Sequence, residues 1–175
     1  MKALYLSVII ILISITGCKK DNIANENEFN KSYNAWLSFK KGSNNSYVYT
    51  TNFGSWTGYG SETKIGVING KIVSRDFTAV RLRRDGTNKQ DTVSQWHEDA
   101  DHINTHPNDA GESLTLDGVY QKAKTVWLKA DKKNNDIYFE TKNNGMISSC
   151  GFVKKGCQDD CFNGITIDLI SPVQF

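Results

Sequence analysis

The pair Asn69-Gly70, set between the runs Thr63–Ile68 and Lys71–Arg83, constrains this chain most. Both residues tolerate positive φ, as a two-residue type I′ turn requires, so the flanking β-type runs are expected to pair as an antiparallel hairpin. Ile65 and Val67 share one face of the first run. In the return run Val73 and Phe77 have odd parity while Val80 and Leu82 have even parity, which predicts a β-bulge near Thr78-Ala79. Tyr47–Thr51 reads as a strand entering the Gly- and Ser-rich loop Gly54–Gly60. The pattern returns after residue 135. Asp136–Thr141, the turn Asn143-Asn144-Gly145, and Met146–Phe152 precede Asn163-Gly164 and a last strand, Ile165–Ile170. In that strand Ile165, Ile167 and Leu169 are expected on one face, with Pro172 as the stop.

Two segments switch to helical spacing. Residues 27–40 place Phe29, Tyr33, Trp36 and Phe39 or Lys40 on one stripe, and Gly42-Ser43-Asn44-Asn45 ends it. Leu116, Val119, Tyr120, Ala123, Val126, Trp127 and Ala130 form the second stripe. Thr115 or Ser113 can cap it, Asp117 suits its first turn, and Lys124 and Lys129 suit its last turns. Between hairpin and second helix, Asp85–Gly111 is polar and turn-rich and reads as a long loop. The sum is an α+β fold: an antiparallel sheet of about five to six strands with two helices packed on one face.

The N-terminus has a different grammar. Lys2 precedes the apolar run Ala3–Ile15, which closes on Ile15-Thr16-Gly17-Cys18. A membrane-spanning helix needs about 20 apolar residues, and this run stops at Lys19-Lys20-Asp21. A charged start, an apolar middle and small residues before the cut describe a signal peptide. The aliphatic–small–small–Cys ending resembles the lipobox of bacterial lipoproteins, and Cys-Lys-Lys-Asp-Asn resembles mature starts of Bacteroidota lipoproteins. The resemblance implies lipidation at Cys18, a membrane anchor, and a place in the cell envelope on the periplasmic or surface-facing side of the outer membrane. The expected organisation is a signal peptide over 1–17, a flexible polar tether over 18–28, and a single domain over 29–175.

Formal net charge is +2, or +1 once Lys2 is removed, and this balance gives no reason to expect nucleic acid. With Cys18 assigned to lipid, Cys150, Cys157 and Cys161 remain, which allows one disulfide and one leftover thiol. Cys150–Cys161 is preferred to Cys150–Cys157 because it would brace the loop between two strands; a thiolate metal site is the other reading.

Chemistry concentrates in two places. Trp96–Asp109 holds all three histidines, His97, His102 and His106, together with Glu98, Asp99, Asp101 and Asp109. Imidazole and carboxylate are ligands for divalent metals, so His97, His102 and His106 with Asp99 and Asp101 form a candidate metal set. With a bound metal, Glu98 could serve as the base of a hydrolase. A solvated loop explains the same residues, because Pro107, Asn104 and Asn108 oppose a helix and no His-Glu-x-x-His is present. Phe53-Gly54-Ser55-Trp56-Thr57-Gly58-Tyr59-Gly60 is the second place, with Trp56 and Tyr59, and Trp96 from the polar segment, as a candidate binding surface. Packing of these rings onto the core is the alternative. No Gly-x-Ser-x-Gly elbow and no phosphate-binding glycine loop occur.

Taken as an ordered set, the Tyr-x-Tyr strand, Ser55–Gly60, the Val67–Arg75 hairpin, Trp96-x-Glu98, Thr115-Leu116-Asp117-x-x-Tyr120 and Gly164-Ile165-Thr166-Ile167 resemble a family of small secreted or lipid-anchored bacterial domains with no assigned activity. The likeness covers about residues 30–170 and implies a fold and an address, not catalytic residues. The expectation is a non-enzymatic binding domain for an envelope protein or glycan, attached to the membrane by lipid. The alternative is a metal-binding protein or metal-dependent hydrolase.

Overall fold

The computed structural model describes residues 23–106 and 110–173; the expected signal peptide, Cys18 and the first part of the expected tether (residues 1–22), residues 107–109 and the last two residues lie outside the described residues. In chain order the elements are α1 (Glu26–Gly42), β1 (Tyr47–Gly54), β2 (Tyr59–Ile68), β3 (Lys71–Leu82), β4 (Gln90–Asp99), α2 (Leu116–Thr125), a 3₁₀ turn (Trp127–Lys129), β5 (Asn135–Glu140), β6 (Ser149–Lys154) and β7 (Phe162–Pro172). The sheet order is β4-β3-β2-β1-β7-β6-β5, and every neighbouring pair is antiparallel.

The α+β architecture with one antiparallel sheet and two helices is as expected, but the sheet has seven strands rather than five to six. The additional strand is β4, inside the segment expected to be loop. Its sheltered positions carry Trp96 and Glu98 instead of aliphatic residues, while Gln95, His97 and Asp99 are exposed. Charged and polar side chains on an edge strand discourage pairing with other chains. The same composition removes the apolar alternation by which a strand is read.

The Asn69-Gly70 turn forms as expected, with both residues at positive φ (50° and 77°). Three irregularities then set the faces. Between β2 and β3, Val73 is the extra residue, because Gly66 opposes Ser74 and Val67 opposes Ile72. Between β3 and β4 the register shifts at Ala79/Val80, and the extra residue is Val93 on β4, not Thr78 or Ala79. Between β1 and β7, Thr50 opposes Leu169 and Thr51 opposes Ile167, which leaves Asp168 extra. Each extra residue reverses side-chain parity along its strand. Leu169 is therefore 55% exposed, and Ile170 takes the buried position expected for it.

Both helices cover one face. Trp36 of α1 is fully buried, 5.2 Å edge-on from Tyr47 and 6.3 Å from Tyr120 of α2. Phe29 meets Tyr120 and Phe139 of β5. Three buried tyrosines end in satisfied hydroxyls, as buried polar groups must. Tyr47 Oη accepts from the Leu116 N–H at 2.8 Å, and Tyr49 Oη donates to the Leu114 carbonyl. Tyr120 Oη donates to the Ser32 carbonyl at 3.0 Å and accepts from the Ile147 N–H at 3.2 Å. Burial pushes the Tyr120 hydroxyl up to about 12, so it stays neutral. The first two bonds fasten residues 114–116 over β1, and Thr115 caps α2 through the Gly118 N–H at 3.2 Å.

Ile23 and Ala24, from the segment expected to be tether, are buried, and the Ala24 N–H donates to the Leu128 carbonyl at 2.8 Å. These are the two apolar residues of the polar spacer, and burying them against the 3₁₀ turn removes their surface from water.

Candidate functional site

The histidines do not converge. His97 Nδ1 lies 2.7 Å from Asp76 across the β3–β4 ladder, His102 Nδ1 lies 2.7 Å from Asp99, and His106 Nδ1 lies 3.2 Å from Glu98. Each imidazole is thus committed to a different carboxylate. Asp101 meets this network through its backbone N–H, which donates to Asp99 at 3.1 Å. Among the described residues no three of His, Cys, Asp and Glu are grouped to hold a metal ion; Asp109 lies outside them.

Glu98 has a different occupation from that of a base. Its side chain and that of Arg75 are buried, with Arg75 Nε 3.2 Å from Glu98 Oε2 as a charge contact rather than an aligned hydrogen bond. Glu98 accepts the backbone N–H groups of Asn104 at 2.9 Å and His106 at 2.8 Å. Burial opposes its ionisation, but those N–H groups and the Arg75 charge outweigh it and hold the carboxyl below its ordinary value. Arg75 also donates to Asn104 Oδ1 at 2.8 Å and lies 4.8 Å from the Trp96 ring. Trp96 in turn stacks on His106 at 4.6 Å and Phe77 at 5.0 Å. This pair therefore folds the segment after β4 back on itself. Trp96, expected on a binding surface, belongs to that packing.

The other two ring positions separate. Tyr59 is half-buried against Phe77 and Ala79, whereas Trp56, at the tip of the β1–β2 hairpin, is 76% exposed. The disulfide also differs from expectation: it joins Cys157 to Cys161, and Cys150 is the free, buried thiol. Cys150 points into the core from β6, where Ile165 opposes it, while Cys157 and Cys161 share one exposed turn with Cα atoms 6.3 Å apart.

A cleft of about 800 Å³ opens where β1 and β7 part. The β1–β7 register ends at Thr51↔Ile167. Beyond it β1 continues with β2 as far as Gly54, and β7 is paired only with β6 from Phe162 to Thr166. The two strands fork, and Thr51–Gly54 and Phe162–Thr166 become the walls. Ala110, Gly111, Glu112, Leu114, Lys122 and Trp127 also line the fork. Lys122 pairs with Glu112 and approaches the Trp127 ring. An Asn52–Asp168 side-chain bond marks the apex, and Ser55 Oγ reaches Asp160 at 2.7 Å across the mouth. The Gly151↔Gly164 pair keeps the β6–β7 wall close: a Cβ on Gly164 would collide with the Cys150 carbonyl and lie 2.6 Å from the Phe162 ring. Hydroxyls, amides and rings around a concave site of this size are the makings of a ligand pocket. Sequence reading does not find it, because its residues come from separate segments and meet only through the register.

No family model, curated protein or solved structure matches the chain.

Proposed function

We propose that the chain is a lipid-anchored lipoprotein of the cell envelope, held by Cys18, whose domain binds an envelope protein or glycan without chemical conversion. The observation that carries the reading is the fork cleft, walled on one side by the end of β1, with Trp56 exposed in the hairpin turn two residues beyond that wall. Trp is the side chain that loses most by staying in water and is enriched where binding energy concentrates. Phe53, 47% exposed, lines the same cleft. The lipobox-like Ile15-Thr16-Gly17-Cys18 supports the anchor. Lipidation of that kind gives stable attachment, since more than one acyl chain is buried.

The test is retention on purified envelope material separated into protein and glycan fractions. Trp56→Ala and Phe53→Ala remove exposed rings, so thermal stability should stay near that of the parent. The reading expects affinity for one fraction to fall at least about tenfold, the scale of losing one central aromatic contact. Unchanged retention of both variants on both fractions would exclude this surface.

A further inference from the structure

The fork has a property that ordinary pockets lack: two of its walls are strand edges with unused ladder groups. The Ser55 N–H donates to the Tyr59 carbonyl at 2.8 Å, which makes Ser55 a β2-facing position of β1. Backbone direction alternates along a strand, so the N–H and C=O of Gly54 face away from β2, toward the fork. The Ile167 N–H donates to the Ser148 carbonyl at 2.8 Å, which makes Ile167 a β6-facing position. By the same alternation Asn163 and Ile165 also face β6, and the N–H and C=O of Gly164 face the fork. Elsewhere these two strands satisfy each other, but past Thr51↔Ile167 they do not. Main-chain donors and acceptors so placed need a partner, and water or another backbone can supply it.

We propose that the fork binds an extended polypeptide segment of an envelope protein by β-strand addition. The segment runs antiparallel to Phe162–Ile165 of β7, and so parallel to the end of β1, with its N–H and C=O groups meeting Gly164 on one side and Gly54 on the other. This rests on the binding reading above and names the partner class. A glycan repeats its hydroxyls at the spacing of its sugar units and presents no N–H and C=O ladder, whereas a strand presents alternating N–H and C=O at the spacing that the fork walls repeat. The space around Gly54 is open, since a Cβ there would meet nothing within 4 Å. Phe53, Phe162 and Lys122 line the fork, which gives alternate side chains of the segment apolar and polar places. The Ser55–Asp160 bond across the mouth is at the exposed surface, where water can replace it, so it yields to an entering strand.

The experiment uses the full chain and an array of short blocked peptides alternating Thr or Val with Ser, Lys or Asp, alongside a glycan array. The tightest peptide is remade with its backbone amides N-methylated, which keeps every side chain and deletes the ladder donors. Loss of at least about tenfold in affinity on methylation is expected, the equivalent of one to two hydrogen bonds. Slowed hydrogen exchange at Gly54 and Gly164 in the complex is expected with it. Gly54→Pro removes a fork-facing N–H that the β1–β2 ladder does not use, and should weaken the peptide at least about fivefold. Gly54→Ala, which keeps the N–H, should stay within about twofold. Equal binding of methylated and unmethylated peptide, with Gly54 and Gly164 exchanging as before, overturns strand addition. Binding to glycans alone also overturns it but leaves the binding reading intact; binding to neither array, with both Trp56→Ala and parent inert on envelope fractions, removes both.

Discussion

Glu98→Gln tests the buried pair on which the segment after β4 depends. The substitution keeps the shape and one carbonyl oxygen but deletes the charge facing Arg75, whose side chain is 2% exposed. Arg75 then retains Asn104 Oδ1 and the Trp96 face, neither of which carries a full negative charge. One of the Asn104 and His106 N–H groups loses its acceptor, which alone costs about 1–3 kcal/mol. Breaking a buried ion pair from one side costs about 3–5 kcal/mol in total, and the Trp96 contact places this site near the lower end, at about 3. Against a typical domain stability of about 5–15 kcal/mol the effect is large. With a urea m-value of about 1–3 kcal/mol/M, the midpoint should fall by about 1–3 M. The sign of the pH dependence follows from the lowered carboxyl pKa of folded Glu98. Its contribution is fully present above the unfolded carboxyl value of about 4.3 and is lost as pH falls through the lower folded value. The gap between parent and Glu98→Gln should therefore be widest near neutrality and narrow below about pH 4. Replacing both residues, Arg75→Met with Glu98→Met, should recover part of the loss, because no lone charge is left buried. A single-mutant cost below about 1 kcal/mol, or a gap that widens in acid, would refute the reasoning.

Three further outcomes follow from the packing. Gly164→Ala should destabilise by about 1–3 kcal/mol in urea melts, because its Cβ meets the Cys150 carbonyl and the Phe162 ring with no room to shift. Ile170→Ser should cost about 2–4 kcal/mol and Leu169→Ser less than about 0.5, a contrast that exists only if Asp168 is the extra residue of β7. Cys150 should remain unmodified by a thiol reagent at pH 8 in the native protein and react on unfolding, since burial raises its thiol to about 12. Cys157 and Cys161 should become reactive only after reduction.

The parts legible in the sequence were those where one rule decides the outcome. The Asn69-Gly70 turn needs two residues that accept positive φ, and it is read directly. The two helices follow from stripes that bury Phe29 and Trp36, and Leu116, Val119, Tyr120 and Ala123. β4 was hidden because its inward residues, Trp96 and Glu98, bury as an aromatic contact and an ion pair rather than as aliphatic surface. Strict alternation puts Leu169 on the wrong face, because a bulge at Asp168 leaves no mark in composition. The disulfide has a readable signal: Cys157 and Cys161 flank a polar turn, while Cys150 alternates with strand residues. The fork had none. It depends on where the β1–β7 ladder stops, and that is a property of three strands together.

Backbone amide and indole chemical shifts of the chain, recorded while purified envelope material is titrated in, test the central claim most directly. The account predicts that changes cluster at Asn52–Gly54, Asn163–Thr166 and the Trp56 indole, with His97, His102 and His106 unmoved. Changes confined to the three histidines and their carboxylates, or appearing only when a divalent metal is added, would contradict it and return the function to the segment after β4.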